Sequence, residues 1–125
     1  MSLGSIIKAK RLELGLTGLK LSQISGVNQP FIYNLENGKE VPEKNRWLLI
    51  EALQIPFNSE LFSKKVREKR EVRKLPINAL SKLTEISRST LYLLESNEKI
   101  PSVALCYKIA KVLELNLEDF VDITS

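Results

Sequence analysis

The chain repeats itself. Ile32-Tyr33-Asn34-Leu35-Glu36-Asn37 returns 59 residues later as Leu91-Tyr92-Leu93-Leu94-Glu95-Ser96. The same offset relates Leu16 to Leu75, Leu21-Ser22 to Leu80-Ser81, Val27 to Ile86 and Val41-Pro42 to Ile100-Pro101. It also relates Ile7, Lys10 and Arg11 to Val66, Lys69 and Arg70. Further on the match slips by one residue, so that Leu49, Ala52 and Leu53 face Ile109, Val112 and Leu113. No other feature restricts the fold as much, because one short supersecondary unit must serve twice. A length of 125 residues alone allows one ordinary domain. The repeat divides it into two of about 60 residues, 1–60 and 61–125, with the boundary near 56–63.

Each unit reads as helical. Apolar residues recur at helical spacing, and period-2 alternation does not persist. The expected fold class is all-α, with two tandem five-helix domains. Helices are expected near 3–14, 17–24, 28–36, 43–54 and 58–62, then near 62–73, 77–83, 87–95, 102–113 and 117–121. Gly15, Gly26, Gly38 and Pro42 fall at the breaks of the first unit. Thr17, Asn28 and Ser87 stand where N-caps belong, and Pro101 precedes a helix begun at Ser102. Ile7, Leu16, Leu21, Ile24, Val27, Ile32, Leu35, Leu49 and Leu53 pattern as one small core. Val66, Leu75, Leu80, Leu83, Ile86, Leu91, Leu94, Ile109 and Leu113 pattern as the other. Trp47, Cys106 and Tyr107 read as packing residues of the fourth helices.

Composition removes several kinds of chemistry. There is no histidine, which excludes Ser-His-Asp and Cys-His catalysis and imidazole zinc sites. The single Cys106 excludes an intrachain disulfide and a four-cysteine zinc site. No glycine-rich phosphate loop and no carboxylate cluster speaks for an enzyme, and no cofactor or metal is expected. No apolar run reaches the roughly 18–20 residues of a membrane span and no secretory segment stands at the N-terminus, so a soluble, cytoplasmic protein is expected. The net charge of +4 permits a nucleic-acid partner without requiring one. That charge is uneven: residues 1–60 carry seven basic and six acidic side chains, residues 61–125 twelve and nine. The stretch 64–74 holds seven basic residues against Glu68 and Glu71. It reads either as a solvated helix face or as a phosphate-facing strip.

The second and third helices of each unit are short and joined by a tight turn. In the first copy Gly26 can take a left-handed conformation and Val27 can plug the crevice between the helices. Here the chain resembles a known family. Lys8-Ala9-Lys10-Arg11-Leu12-Glu13-Leu14-Gly15-Leu16, followed by Leu35-Glu36-Asn37-Gly38-Lys39, is similar to the Xre/Cro family of lambdoid phage repressor and Cro DNA-binding domains. The second unit resembles it through Ser87-Arg88-Ser89-Thr90-Leu91 and through Pro101-Ser102 to Asn116-Leu117-Glu118-Asp119-Phe120.

The resemblance implies a third helix lying in the major groove with its first residues at base edges. The implied DNA-contacting residues of the first unit are Gln29, Pro30 and Asn34, with Asn28, Phe31 and Tyr33 beside them. In the second they are Arg88, Ser89 and Leu93, with Ser87, Thr90 and Tyr92 beside them. Gln29 and Asn34 carry amides that suit adenine, and Arg88 suits guanine O6 and N7. Thr17, Asn37, Lys39, Asn97 and Lys99 are placed for phosphates. The resemblance further implies structural salt bridges between Arg11 and Glu36 and between Arg70 and Glu95, both 25 residues apart. Gly18 and Ile77 stand where many family members carry a DNA-touching glutamine. Glu85 stands where Gly26 allows the turn, at an expected cost of about 1 kcal/mol if the left-handed conformation is kept.

The implied function is sequence-specific binding of double-stranded DNA by a transcriptional regulator of the repressor type, from a bacterium, phage or mobile element. One chain would act as a covalent pseudo-dimer on two unlike half-sites. Under two-fold symmetry their centres would lie about 34 Å apart; a head-to-tail arrangement would suit a direct repeat. Two alternatives remain. One is an accessory DNA-binding protein of plasmid transfer or replication. The other is an interaction module in which one unit alone contacts DNA and an outward Leu93–Tyr92–Ile77 face docks a partner or a second copy.

Overall fold

The computed structural model describes residues 2–99 and 101–122; Ile100 and residues 123–125, which the repeat and the second expected domain include, lie outside them. The described residues form two compact units. One runs to Phe57 and takes back Val121 and Asp122; the other is Asn58–Phe120. The first holds α1 (Leu3–Glu13), α2 (Gly18–Ser25), α3 (Gln29–Glu36) and α4 (Glu43–Ala52). The second holds α5 (Ser59–Val72), α6 (Ile77–Thr84), α7 (Arg88–Glu95), α8 (Val103–Leu113) and a 3-10 turn at Leu117–Phe120. Among the described residues the one β pairing is an isolated antiparallel bridge between Phe57 and Val121.

Short polar side chains start most of these helices. Ser2, Thr17, Asn58, Ser87 and Ser102 each accept a hydrogen bond from the backbone N–H three residues on, satisfying a donor the helix itself cannot. Asn58 explains one departure from expectation. No separate helix forms near 58–62. Asn58 Oδ1 accepts from the Leu61 N–H at 3.0 Å, and the chain runs on into α5, so the first unit has four helices. Asn28 is another departure. It sits at the N-cap of α3 but makes no side-chain cap bond. Pro30 has no N–H to offer, and the Phe31 N–H is taken by the Asn28 carbonyl at 3.0 Å.

In the first unit α3 packs on α1 and α2, and α4 packs on α2; in the second α7 packs on α5 and α6, and α8 on the same two. Trp47, Leu49 and Ile50 of α4, and Cys106 and Ile109 of α8, are fully buried. Gly4 lets α1 approach α3 closely, since a Cβ there would overlap the Leu35 carbonyl. Ile24 and Leu83, expected in the cores, are exposed. Each lies off the inward face of its eight-residue helix, which runs through Gly18, Leu21 and Ser25 in α2 and through Ile77, Leu80 and Thr84 in α6, and Val27 and Ile86 fill the crevice. Leu16 and Leu75 are only half-buried.

Candidate nucleic-acid interface

Two matching ion pairs hold the third helix of each unit. Arg11 Nε and Nη2 donate to the two carboxylate oxygens of Glu36 at 2.8 and 2.9 Å, and its Nη1 donates to the Leu16 carbonyl at 2.9 Å. Arg70 does the same to Glu95, at 2.7 and 2.9 Å, and to the Leu75 carbonyl at 3.1 Å. Each guanidinium thereby joins the end of the first helix, the loop after it and the end of the third helix. The side chains of Arg11 and Glu36 are 10% and 3% exposed, those of Arg70 and Glu95 18% and 9%. The hydrogen bonds to the glutamates raise both arginine pKa values above the usual one, against the opposing effect of burial.

The turns before α3 and α7 share a backbone path and one brace, Ser25 accepting from the Val27 N–H at 3.1 Å as Thr84 does from the Ile86 N–H, but differ in the left-handed residue. Gly26 has φ 77° and its N–H reaches the Ser22 carbonyl at 2.9 Å. Glu85 keeps the left-handed conformation at φ 60°, which an L side chain disfavours. Two hydroxyls brace it. Ser81 donates to the Ile86 carbonyl at 2.6 Å, and Thr84 accepts from the Ile86 N–H at 3.3 Å while donating to the Leu80 carbonyl at 2.8 Å.

With Ile32 and Leu35 buried, α3 turns Pro30 and Tyr33 to solvent; Gln29, Phe31 and Asn34 are half-buried. Gln29 Nε2 donates to the Tyr33 hydroxyl at 3.2 Å. With Leu91 and Leu94 buried, α7 exposes Arg88, Ser89 and Tyr92. Arg88 Nη1 donates to Asn78 Oδ1 at 3.0 Å. Sequence reasoning missed Asn78; its place in the first turn of α6, where Arg88 begins α7, was the available signal. Ser87 and Thr90 are occupied at the start of α7: Ser87 Oγ lies 2.8 Å from Thr90 Oγ1 and accepts from the Thr90 N–H at 3.2 Å.

The outward apolar face expected at Leu93–Tyr92–Ile77 does not form. Ile77 is 7% exposed and Leu93 is half-buried, leaving Tyr92 alone in solvent. The reason is that α6 turns its first residue inward with Leu80, three positions on, both against the core.

Thr17 caps α2, and Lys39 and Lys99 are exposed in the loops after α3 and α7. These loops carry a difference that sequence reasoning overlooked. The Lys39 N–H bonds the Asn34 carbonyl at 2.8 Å, whereas the Leu93 carbonyl accepts from both Glu98 and Lys99, at 2.9 and 3.3 Å, so an acidic side chain precedes the lysine in the second unit. The basic stretch on α5 is largely drawn into contacts with acids. Lys65 meets Glu68, Arg67 meets Glu71, Arg70 meets Glu95 and Arg73 meets Glu114. Arg73 also donates to the Val112 and Leu113 carbonyls at the end of α8. Lys64, Lys69 and Lys74 remain exposed around the helix, which suits a solvated face better than one continuous phosphate strip.

No described helix is long and apolar enough to cross a membrane. A family model described as helix-turn-helix matches the chain twice, over residues 7–58 and 66–120. No match was found among curated proteins or among solved structures. The two matched stretches cover most of the chain and contain both sets of paired helices and both arginine–glutamate bridges. The chain therefore belongs to the helix-turn-helix family of the Xre and lambda-repressor type, a DNA-binding family, in two tandem copies.

Proposed function

We propose that this protein is a sequence-specific regulator of transcription that represses by occupying double-stranded DNA, with α3 and α7 each lying in a major groove. The observation that carries this reading is the pair of solvent-facing surfaces on these helices. Arg88, Ser89 and Tyr92 are exposed on α7, Tyr33 is exposed on α3 beside the half-buried Gln29 and Asn34, and each helix is held by an ion pair at its far end. Gln29 and Asn34 suit adenine edges and Arg88 suits guanine, so the two half-sites differ. Pro30, Phe31 and Tyr33 on α3, and Ser89, Tyr92 and Leu93 on α7, flank these readers. Thr17, Asn37, Lys39, Asn97 and Lys99 address phosphates from the helix starts and following loops, with Asn28, Ser87 and Thr90 beside the readers. The units 1–60 and 61–125 act as two readers in one chain.

Selection of bound sequences from a random duplex pool, at fixed salt, tests the proposal. Two unlike half-motifs, inverted or direct, are expected. Arg88→Ala should erase one base preference at a cost of about 1–3 kcal/mol while leaving the salt slope nearly unchanged. A motif confined to one half-site would favour the alternative in which one unit alone meets DNA.

A further inference from the structure

The two readers are oriented by different means, and two adjacent pairs of matched positions, Gly18 with Ile77 and Leu19 with Asn78, carry the difference. Gly18 begins α2 and is buried, and a Cβ there would overlap the Tyr33 hydroxyl and Cζ. The absence of a side chain is what lets the Tyr33 ring fold back over the start of α2. From there its hydroxyl accepts from Gln29 Nε2 at 3.2 Å. In the second unit the matched position is Ile77, whose side chain is buried, and the matched Tyr92 is 60% exposed against 41% for Tyr33. Arg88 is held by Asn78 instead.

We infer that Gly18 determines the base preference of the first unit without touching DNA, by giving Tyr33 room to hold the Gln29 amide in its reading orientation. This rests on the reading of α3 as a DNA reader. A glutamine amide offers two N–H donors and one carbonyl acceptor. With one N–H committed to Tyr33, the other N–H and the carbonyl remain as a donor–acceptor pair. Adenine presents the complementary N7 acceptor and N6 donor in the major groove. An amide already fixed by the tyrosine has less side-chain freedom to lose on binding. Tyr33 is thus a positioning residue for Gln29, and its own hydroxyl hydrogen stays available to an acceptor such as a phosphate oxygen.

The test uses the full chain and competition between duplexes that differ at single base pairs. Gln29→Ala first identifies the base pair whose preference depends on Gln29. Tyr33→Phe, which keeps the ring, and Gly18→Ala should each lower that preference about three- to tenfold, the range expected for one neutral hydrogen bond. Preferences that depend on Arg88 should not move. In the Gln29→Ala background Tyr33→Phe should have no further effect on base preference. If Gly18→Ala loses helicity, Tyr33→Phe decides alone. If Tyr33→Phe leaves the Gln29-dependent preference intact, or weakens all duplexes equally, the positioning role of Tyr33 falls while DNA reading by α3 stands. If Gln29→Ala alters no base preference, DNA reading through Gln29 falls, and this inference with it.

Discussion

Replacing Glu36 by alanine should nearly unfold the first unit. The substitution removes both acceptors of a two-pronged bond made at 2.8 and 2.9 Å. It leaves the Arg11 guanidinium, whose side chain is 10% exposed, with the Leu16 carbonyl as its remaining partner. Breaking one side of a buried pair costs about 3–5 kcal/mol, because the other charge stays out of water uncompensated. A unit of about 60 residues has on the order of 3–9 kcal/mol in all, so the loss is comparable to the whole. The assay is built into the chain. Trp47 is its one tryptophan, fully buried in α4 of the same unit, so tryptophan fluorescence in a urea titration follows that unit. With a slope near 1 kcal/mol per molar urea, the midpoint should fall by about 3–5 M, or the native signal should be absent in buffer. The double variant Arg11→Met with Glu36→Leu should recover most of the loss, since apolar side chains of similar volume carry no desolvated charge. A midpoint for Glu36→Ala within about 0.5 M of the parent would refute the reasoning and make the bridge a contact without structural weight.

Other substitutions test particular positions. Glu85→Gly should raise the stability of the second unit by about 0.5–1 kcal/mol by relieving the left-handed glutamate, seen as a higher melting temperature by circular dichroism; a lower one would mean that the side chain holds the turn. Gly4→Ala should cost on the order of 1–3 kcal/mol through overpacking between α1 and α3, measured by the same Trp47 titration. The pH dependence follows from the arginines. Their pKa values are raised on folding, so the contribution is complete below the unfolded value and fades only as pH climbs through the folded one, deep in alkali. With no histidine to titrate, the unfolding free energy should change by less than about 0.5 kcal/mol between pH 6 and 8. A change above about 1 kcal/mol by urea titration would reveal a titrating group elsewhere.

The sequence by itself determined the two-fold repeat, the all-helical class and the order of the helices. These are local properties. Apolar period, capping serines and threonines, and glycines at turns all act within a few residues, and a repeat states each signal twice. The arginine–glutamate pairs, 25 residues apart in both copies, were implied by the family resemblance and not by a local signal, and the structure joins both. The tertiary structure decided which side of each short helix faces inward, because that depends on which neighbouring helices it packs against. Ile24 and Leu83 are as apolar as any core residue, yet they point away from the buried face, while the polar Thr84, next to Leu83, is 3% exposed. Ile77 read as an outward residue and is buried because α6 turns its first residue inward. Whether Tyr33 lies over α2 or projects as Tyr92 does depends on the space left by Gly18 or Ile77, fifteen residues earlier in each copy. Periodicity counts apolar residues along one helix; it carries no information about the volume across the gap to the next, and that volume sets how the first reader is held.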